Sequence, residues 1–259
     1  MKIRVLTGVL LAGISAGAMA ETTPSGFYLS AKAGVSQFRS SENVLNSSGT
    51  TVSQLAYDVD ASHLGNASKT VFTPGIALGY RFANELEQPV RVELAFQHFG
   101  KSDKDFSASS QATGYWGGQT SGAVTLPTAN DVRQSTRVST LMVNTYYDYT
   151  LGGAVTPYLM AGIGAAFVRN TVSSNSNVAG IALNSGDFSN RKTNLAWALG
   201  AGVSWAASDN VALEMGYTFT NAGDIKTAYT AQNGINEGRG DMHTKVQLHT
   251  LHAGVRYHF

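Results

Sequence analysis

The stretch that decides the fold is the last one, Leu251-His252-Ala253-Gly254-Val255-Arg256-Tyr257-His258-Phe259. Successive side chains of a β-strand point to opposite faces, so residues two apart share a face. Leu251, Ala253, Val255, Tyr257 and Phe259 then make one apolar face that ends in two aromatics. His252, Gly254, Arg256 and His258 make the other face, which is small or polar. An apolar outside with aromatics at the rim is what a strand presents to lipid, because amphipathic rings settle at the membrane–water interface.

The same period-two pattern recurs. Eight segments alternate, near 26–36, 70–82, 90–100, 138–149, 157–169, 193–205, 211–220 and 246–259. Each is long enough to cross a bilayer, since a tilted strand needs about 9–11 residues. Val211, Leu213, Met215, Tyr217 and Phe219 alternate with Ala212, Glu214, Gly216 and Thr218. Leu195, Trp197, Leu199, Ala201, Val203 and Trp205 alternate with small or polar residues in the same way. Alternation alone does not choose between a barrel and a soluble sandwich, which turns its apolar face inward.

The connections and the chain ends do choose. The stretches 37–69, 101–137, 170–192 and 221–245 are long and rich in Ser, Asn, Thr, Gly and Asp. Those at 83–89, 150–156 and 206–210 are short. Outer-membrane barrels have this asymmetry, with short periplasmic turns and long extracellular loops. At the other end, Lys2 and Arg4 precede an apolar stretch from Val5 to about Ala16, and Ala18-Met19-Ala20 is a small-x-small cleavage site. Residues 1–20 thus read as a signal peptide whose removal leaves Glu21 first. The expectation is an all-β fold: an eight-stranded antiparallel up-and-down transmembrane β-barrel over 21–259, with four long extracellular loops. Lipid offers no hydrogen-bond partners, so the strands can cross only if the sheet closes on itself.

Composition agrees. Charged residues make up 14% of the chain, well under the roughly 25% of a soluble domain. Cysteine is absent, which excludes disulfides, thiol catalysis and thiolate metal sites. The formal net charge is +1, so nothing points to nucleic acid.

Eight strands leave a lumen just wide enough for side chains to fill. Gly79, Gly202, Gly216 and other glycines on the inner face leave room there for Tyr28, Tyr146, Tyr158 and Met160. The same face carries Lys32, Arg81, Arg91, Glu93, Asp148, Glu214 and Arg256. Most of these lie near the short-turn ends of their strands. They are expected to gather in the periplasmic half and to pair, because an unpaired buried charge costs several kcal/mol. An ion gate is the alternative use of such a set.

Two resemblances follow. The pattern His252-x-Gly254-x-x-Tyr257-x-Phe259 looks like the terminal signal by which outer-membrane barrels are recognised for assembly. It names Gly254, Tyr257 and Phe259 as assembly-signal residues and the barrel assembly machinery as a partner. The chain also resembles the opacity-like and major-surface-antigen outer-membrane proteins of Gram-negative bacteria. The resemblance rests on Pro74-Gly75-Ile76-Ala77-Leu78-Gly79-Tyr80-Arg81-Phe82, Arg91-Val92-Glu93-Leu94, Val143-Asn144-Thr145-Tyr146-Tyr147-Asp148 and Thr156-Pro157-Tyr158-Leu159-Met160-Ala161-Gly162-Ile163-Gly164. It implies a surface-exposed barrel embedded in outer-membrane lipid, whose loops meet a host or environmental macromolecule. A small pore is the other function it allows. It transfers no catalytic residue, no cofactor and no metal site.

The histidines agree. His249 and His252 are an odd number of residues apart, so a strand puts them on opposite faces. His252 and His258 share a face but stand about 20 Å apart along it. His63, His98 and His243 form no convergent set with a nucleophile.

Overall fold

The computed structural model describes residues 26–50, 55–63, 66–82, 89–116, 122–149, 151, 154–178, 180–184, 186–233 and 236–259. The expected signal peptide at 1–20 lies outside the described residues, as does most of the expected short connection at 83–89. The strands are β1 (Gly26–Thr50), β2 (Leu55–His63), β3 (Ala67–Arg81), β4 (Val90–Trp116) and β5 (Val124–Asp148). They continue with β6 (Val155–Val178), β7 (Ile181–Asn184), β8 (Phe188–Ala206), β9 (Val211–Asn233) and β10 (Asn236–His258).

Eight of them close a ring of antiparallel pairs. β1 pairs β3, β3 pairs β4, β4 pairs β5 and β5 pairs β6. β6 then pairs β8, β8 pairs β9, β9 pairs β10, and β10 returns to β1. No edge is left for lipid to face. The other two strands complete the ring higher up. β2 lies between β1 and β4 above the end of β3, and β7 lies between β6 and β9 above β8.

The outward faces carry an apolar band that includes Leu29, Ile76, Leu94, Val143, Leu159, Leu199, Met215 and Leu251, all exposed. On β6 the outward apolar run from Val155 to Phe167 covers about 40 Å of strand, or roughly 30 Å of membrane at a 40° tilt. Its periplasmic rim is aromatic: Phe27 stacks edge-on against Tyr80 at 4.9 Å, Tyr147 against Tyr149 at 4.9 Å and Tyr257 against Phe259 at 5.5 Å. The opposite rim holds Trp197, Phe219, Tyr217 and His249, with Trp197 and Phe219 at 5.3 Å.

One expectation is corrected. The described residues of the four long connections are largely paired strand rather than loop. β4 and β5 pair from Gly114↔Val124 down to the short turn, and β9 and β10 pair from Asn233↔Asn236. The sheet therefore continues roughly 40 Å above the band, judged from the length of β5 beyond Ser139. The reason lies inside. Phe38, Phe99, Val138, Val246 and Leu248 are buried in the lumen there, and Val132, Val172 and Met242 form a second cluster above with Phe106 and Phe188. A closed sheet with its own apolar core does not depend on lipid to stay folded.

Bulges shape the transition. Register shifts fall between Ser41 and Val44 on β1 and between Phe99 and Ser102 on β4. A third is centred on Gly223, whose φ of 74° only glycine adopts readily. Asn194 fills that bulge, donating to the carbonyls of Ala222 and Asp224 at 2.9 and 3.0 Å.

Candidate functional site

At the periplasmic end of the lumen, six charged side chains from five strands meet. Glu214 of β9 is one centre: Arg91 Nη1 lies 2.8 Å and Arg256 Nη1 2.7 Å from its Oε1, and Lys32 Nζ lies 3.5 Å from its Oε2. Glu93 is the other, accepting from Lys32 at 2.9 Å, from the Tyr146 hydroxyl at 2.8 Å and from the Tyr28 hydroxyl at 3.2 Å. Arg91 Nε also reaches both oxygens of Asp148 at 3.0 Å. Arg256 Nη2 donates to Ser204 at 3.0 Å. Three cations thus face three carboxylates, and the cluster is neutral. Arg91, Glu93, Glu214 and Arg256 are fully buried. Arg81 is buried on the same face, opposite Arg91 in register.

Aromatic rings wall the cluster. The Arg91 guanidinium lies 4.2 Å from the Tyr146 ring centre, and that of Arg256 lies 5.5 Å from Tyr28. These rings fit because glycine lies beneath them. A Cβ on Gly79 would enter the Tyr28 ring, and one on Gly202 or Gly216 would strike the Tyr158 hydroxyl.

Above the cluster the lumen holds a chamber of about 50 Å³, lined by Gln97, Thr140, Asn144, Met160, Thr218 and His252 among others. That is room for a few waters. The first apolar cluster closes it from above. Higher still, hydrogen bonds cross the lumen: Gln134 to Thr244 at 3.0 Å and Thr244 to Asn43 at 3.1 Å. Asn170 joins Thr136 at 2.9 Å and Thr227 at 3.0 Å.

The residue patterns of the sequence match the outer membrane protein beta-barrel domain over residues 6–259. The outer membrane protein PagN of Salmonella typhimurium is 32% identical over 236 residues, 90% of each chain. The chain belongs to the outer membrane protein β-barrel family. This family membership places it in the outer membrane with its long hairpins at the cell surface. A putative adhesin of Rickettsia prowazekii is 32% identical over 120 residues, 46% of this chain and 50% of its own length. One from Rickettsia conorii is 26% identical over 193 residues, 73% of this chain and 68% of its own. Among solved structures, Neisserial surface protein A superposes with a TM-score of 0.41 at 19% identity, covering 91% of this chain and 98% of that one.

Of the terminal residues, Gly254 faces the lumen, where a Cβ would come within 2.8 Å of Lys32 and of the Ala31 carbonyl. Tyr257 and Phe259 point outward and are 49% and 75% exposed, which leaves them accessible from the lipid side. The histidines are dispersed. His98 lies outside and contacts the Ser139 hydroxyl at 2.9 Å, His249 contacts the Tyr217 hydroxyl at 2.7 Å, and His258 is buried beside Tyr28.

Two features escaped the sequence. Tyr28 and Tyr146 serve as hydrogen-bond donors to Glu93, beyond filling space. Their shared face with Glu93 was readable, but the stagger that brings β1 and β5 to the same depth was not. The other is a row of outward cations, taken up below.

Proposed function

We propose that this chain is a non-enzymatic surface protein that uses the part of the barrel above the membrane to contact a macromolecule of a host or of the surroundings. The observation that carries this reading is the closed, internally packed sheet extending roughly 40 Å beyond the apolar band. Spanning the membrane needs only about a third to a half of each long strand. The remainder holds its tips rigidly away from the lipid, and recognition is commonly carried at the ends of a rigid scaffold. Two relatives named as putative adhesins support the same reading. A pore is the weaker reading, because a neutral ion cluster and an apolar cluster close a chamber of only about 50 Å³ from both sides. Tyr257 and Phe259, outward and accessible, serve in this proposal as the contact for the assembly machinery.

The register supplies the test. Ser40↔Ala67, Ser102↔Thr136, Asn170↔Asn190 and Leu248↔Thr220 are paired positions just above the band. Joining each pair by a two-residue turn removes the platform and keeps the membrane ring. Bacteria displaying the trimmed barrel, checked for heat-modifiable migration, should lose attachment to host cells or matrix that the full chain supports. Undiminished attachment would remove the proposal.

A further inference from the structure

Just above the apolar band, one side of the barrel carries a row of like charges. Arg137 of β5 lies directly opposite Arg169 of β6, and Arg169 lies directly opposite Arg191 of β8. All three are exposed on the outer surface. Lys101 extends the row onto β4 at the Phe99–Ser102 bulge, where it lines a common groove with Arg137 and Arg169.

Like charges directly opposite one another on a sheet are destabilising. Elsewhere the chain relieves such costs itself. On the β9–β10 side, Lys226 pairs with Asp241 at 3.3 Å, and the His243 imidazole lies 3.6 Å from Asp224. In the row only Lys101 has a carboxylate, Asp103 at 3.0 Å. Arg169 donates to the Ser189 hydroxyl at 3.1 Å. Among the described residues no ion pair neutralises Arg137, Arg169 or Arg191. The groove beside Arg137 and Arg169 has a volume of about 620 Å³; Arg133, the carboxylates of Asp103 and Asp187, and the hydroxyls of Ser135, Thr171, Ser173 and Ser189 also line it.

Depth identifies the occupant. Arg169 stands two residues above the exposed, lipid-facing Phe167, a rise of about 7 Å along the strand. Arg137 and Arg191 stand four residues from the exposed Leu141 and Leu195. At that level the side chains point sideways into the headgroup layer of the surrounding leaflet. We propose that Arg137, Arg169 and Arg191 bind the phosphate groups of a phosphorylated glycolipid of the outer leaflet, whose acyl chains lie along Phe167, Leu141 and Leu195. Guanidinium groups suit this ligand, since the planar fork meets phosphate oxygens two at a time. The site would fix one side of the barrel against lipid and is independent of what the tips contact.

The test uses the mature chain folded in a neutral detergent. Retention of a bisphosphorylated glucosamine glycolipid (lipid A) is measured by native mass spectrometry. The wild-type barrel should retain this lipid and discard the same lipid stripped of phosphate. Arg137→Gln/Arg169→Gln/Arg191→Gln should bind the phosphorylated form on the order of 100-fold more weakly, at roughly fivefold per arginine. In detergent without lipid, that variant should be at least as heat-stable as wild type, because repulsion within the row is relieved. Arg169→Gln alone serves if the triple variant does not fold, and should lose about fivefold. Unchanged affinity in either variant, or equal retention of the dephosphorylated lipid, would overturn the proposal. Equal displacement by inorganic pyrophosphate at the lipid's own concentration would do so too, because the row would then be a site for soluble anions.

Discussion

Below Ser139 the barrel keeps its large apolar side chains outside; above Ser139 the large apolar side chains lie inside, among buried polar ones, and the outer face is polar. On β5, Leu141 and Val143 face lipid while Thr140 and Asn144 face the lumen, yet one turn of the pleat higher Val138 and Val132 are buried and Arg137 and Arg133 are exposed. On β10 the exposed Leu251 and Val255 give way to the buried Leu248 and Val246. The backbone parity of β5 never changes, so the inversion is written in residue choice alone. Lipid solvates the apolar outside of the lower half, and the lumen there is free to hold charge. Water surrounds the upper half, which must bury its own core as a soluble sheet does, at about 1.5–3 kcal/mol per large side chain. The difference teaches that one barrel can be two proteins in cross-section, joined where β1, β4 and β9 bulge.

The largest effect is expected where the lower half meets the assembly pathway. Changing Tyr257 and Phe259 together to Ser should remove most of the protein from the outer membrane, measured by fractionation and heat-modifiable migration. The same change at Trp197 and Phe219, on the far rim, should reduce the level much less. Equal losses would mean that the terminal aromatics act only as anchors.

Next come the two lumen fillings. Replacing Arg256 by Met leaves Glu214 short of a fully buried partner, and removal of one member of a buried pair costs about 3–5 kcal/mol. Urea unfolding in lipid vesicles, followed by Trp197 and Trp205 fluorescence, measures it. Adding Glu214→Gln should recover part of the loss, though not all, because Arg91 also depends on Glu214. Strict additivity would show that the two side chains do not share an interaction. In the upper half, Phe99→Ala empties a site that is 0% exposed and should cost about 3 kcal/mol. Leu94→Ala, exposed to lipid on the same strand, leaves no cavity and should cost clearly less. A reversed order would break the distinction between the halves.

The inversion also explains what the sequence reveals and what it conceals. All eight crossings are legible, because residues such as Leu213, Met215 and Tyr217 alternate cleanly against Ala212, Glu214 and Gly216. So are the members of the ion cluster, since Lys32, Arg91, Glu93, Asp148, Glu214 and Arg256 each lie on the face opposite the apolar one of their strand. Their partners are not legible: which cation meets which carboxylate depends on stagger around the ring. The upper strands read as loops because their outward residues are Ser, Thr, Asn and Arg, while the inward apolar ones are sparse. The bulges at Phe99–Ser102 and at Gly223 then shift the phase by one residue, which hides the remaining alternation.

The smallest effect is the one that isolates environment from chemistry. Arg133 and Asp105 pair across β5 and β4 at 3.4 Å, with side chains 74% and 78% exposed. Arg256 and Glu214 are also an Arg–carboxylate pair between adjacent strands, at 2.7 Å and almost fully buried. Water screens the outer pair, and two long side chains lose rotamer freedom to hold it. Its coupling in a double-mutant cycle should therefore be about 0.2–1 kcal/mol and should fade as salt rises to about 1 M, where the screening length is near 3 Å. The lumen pair lies beyond the reach of dissolved ions, so its coupling should be several-fold larger and nearly constant over the same range of salt. Arg133→Gln with Asp105→Asn, and Arg256→Met with Glu214→Gln, give the two cycles in one host protein under one protocol. If both couplings decayed alike with salt, solvent would reach the lumen cluster. The lower half could then no longer be regarded as a sealed plug.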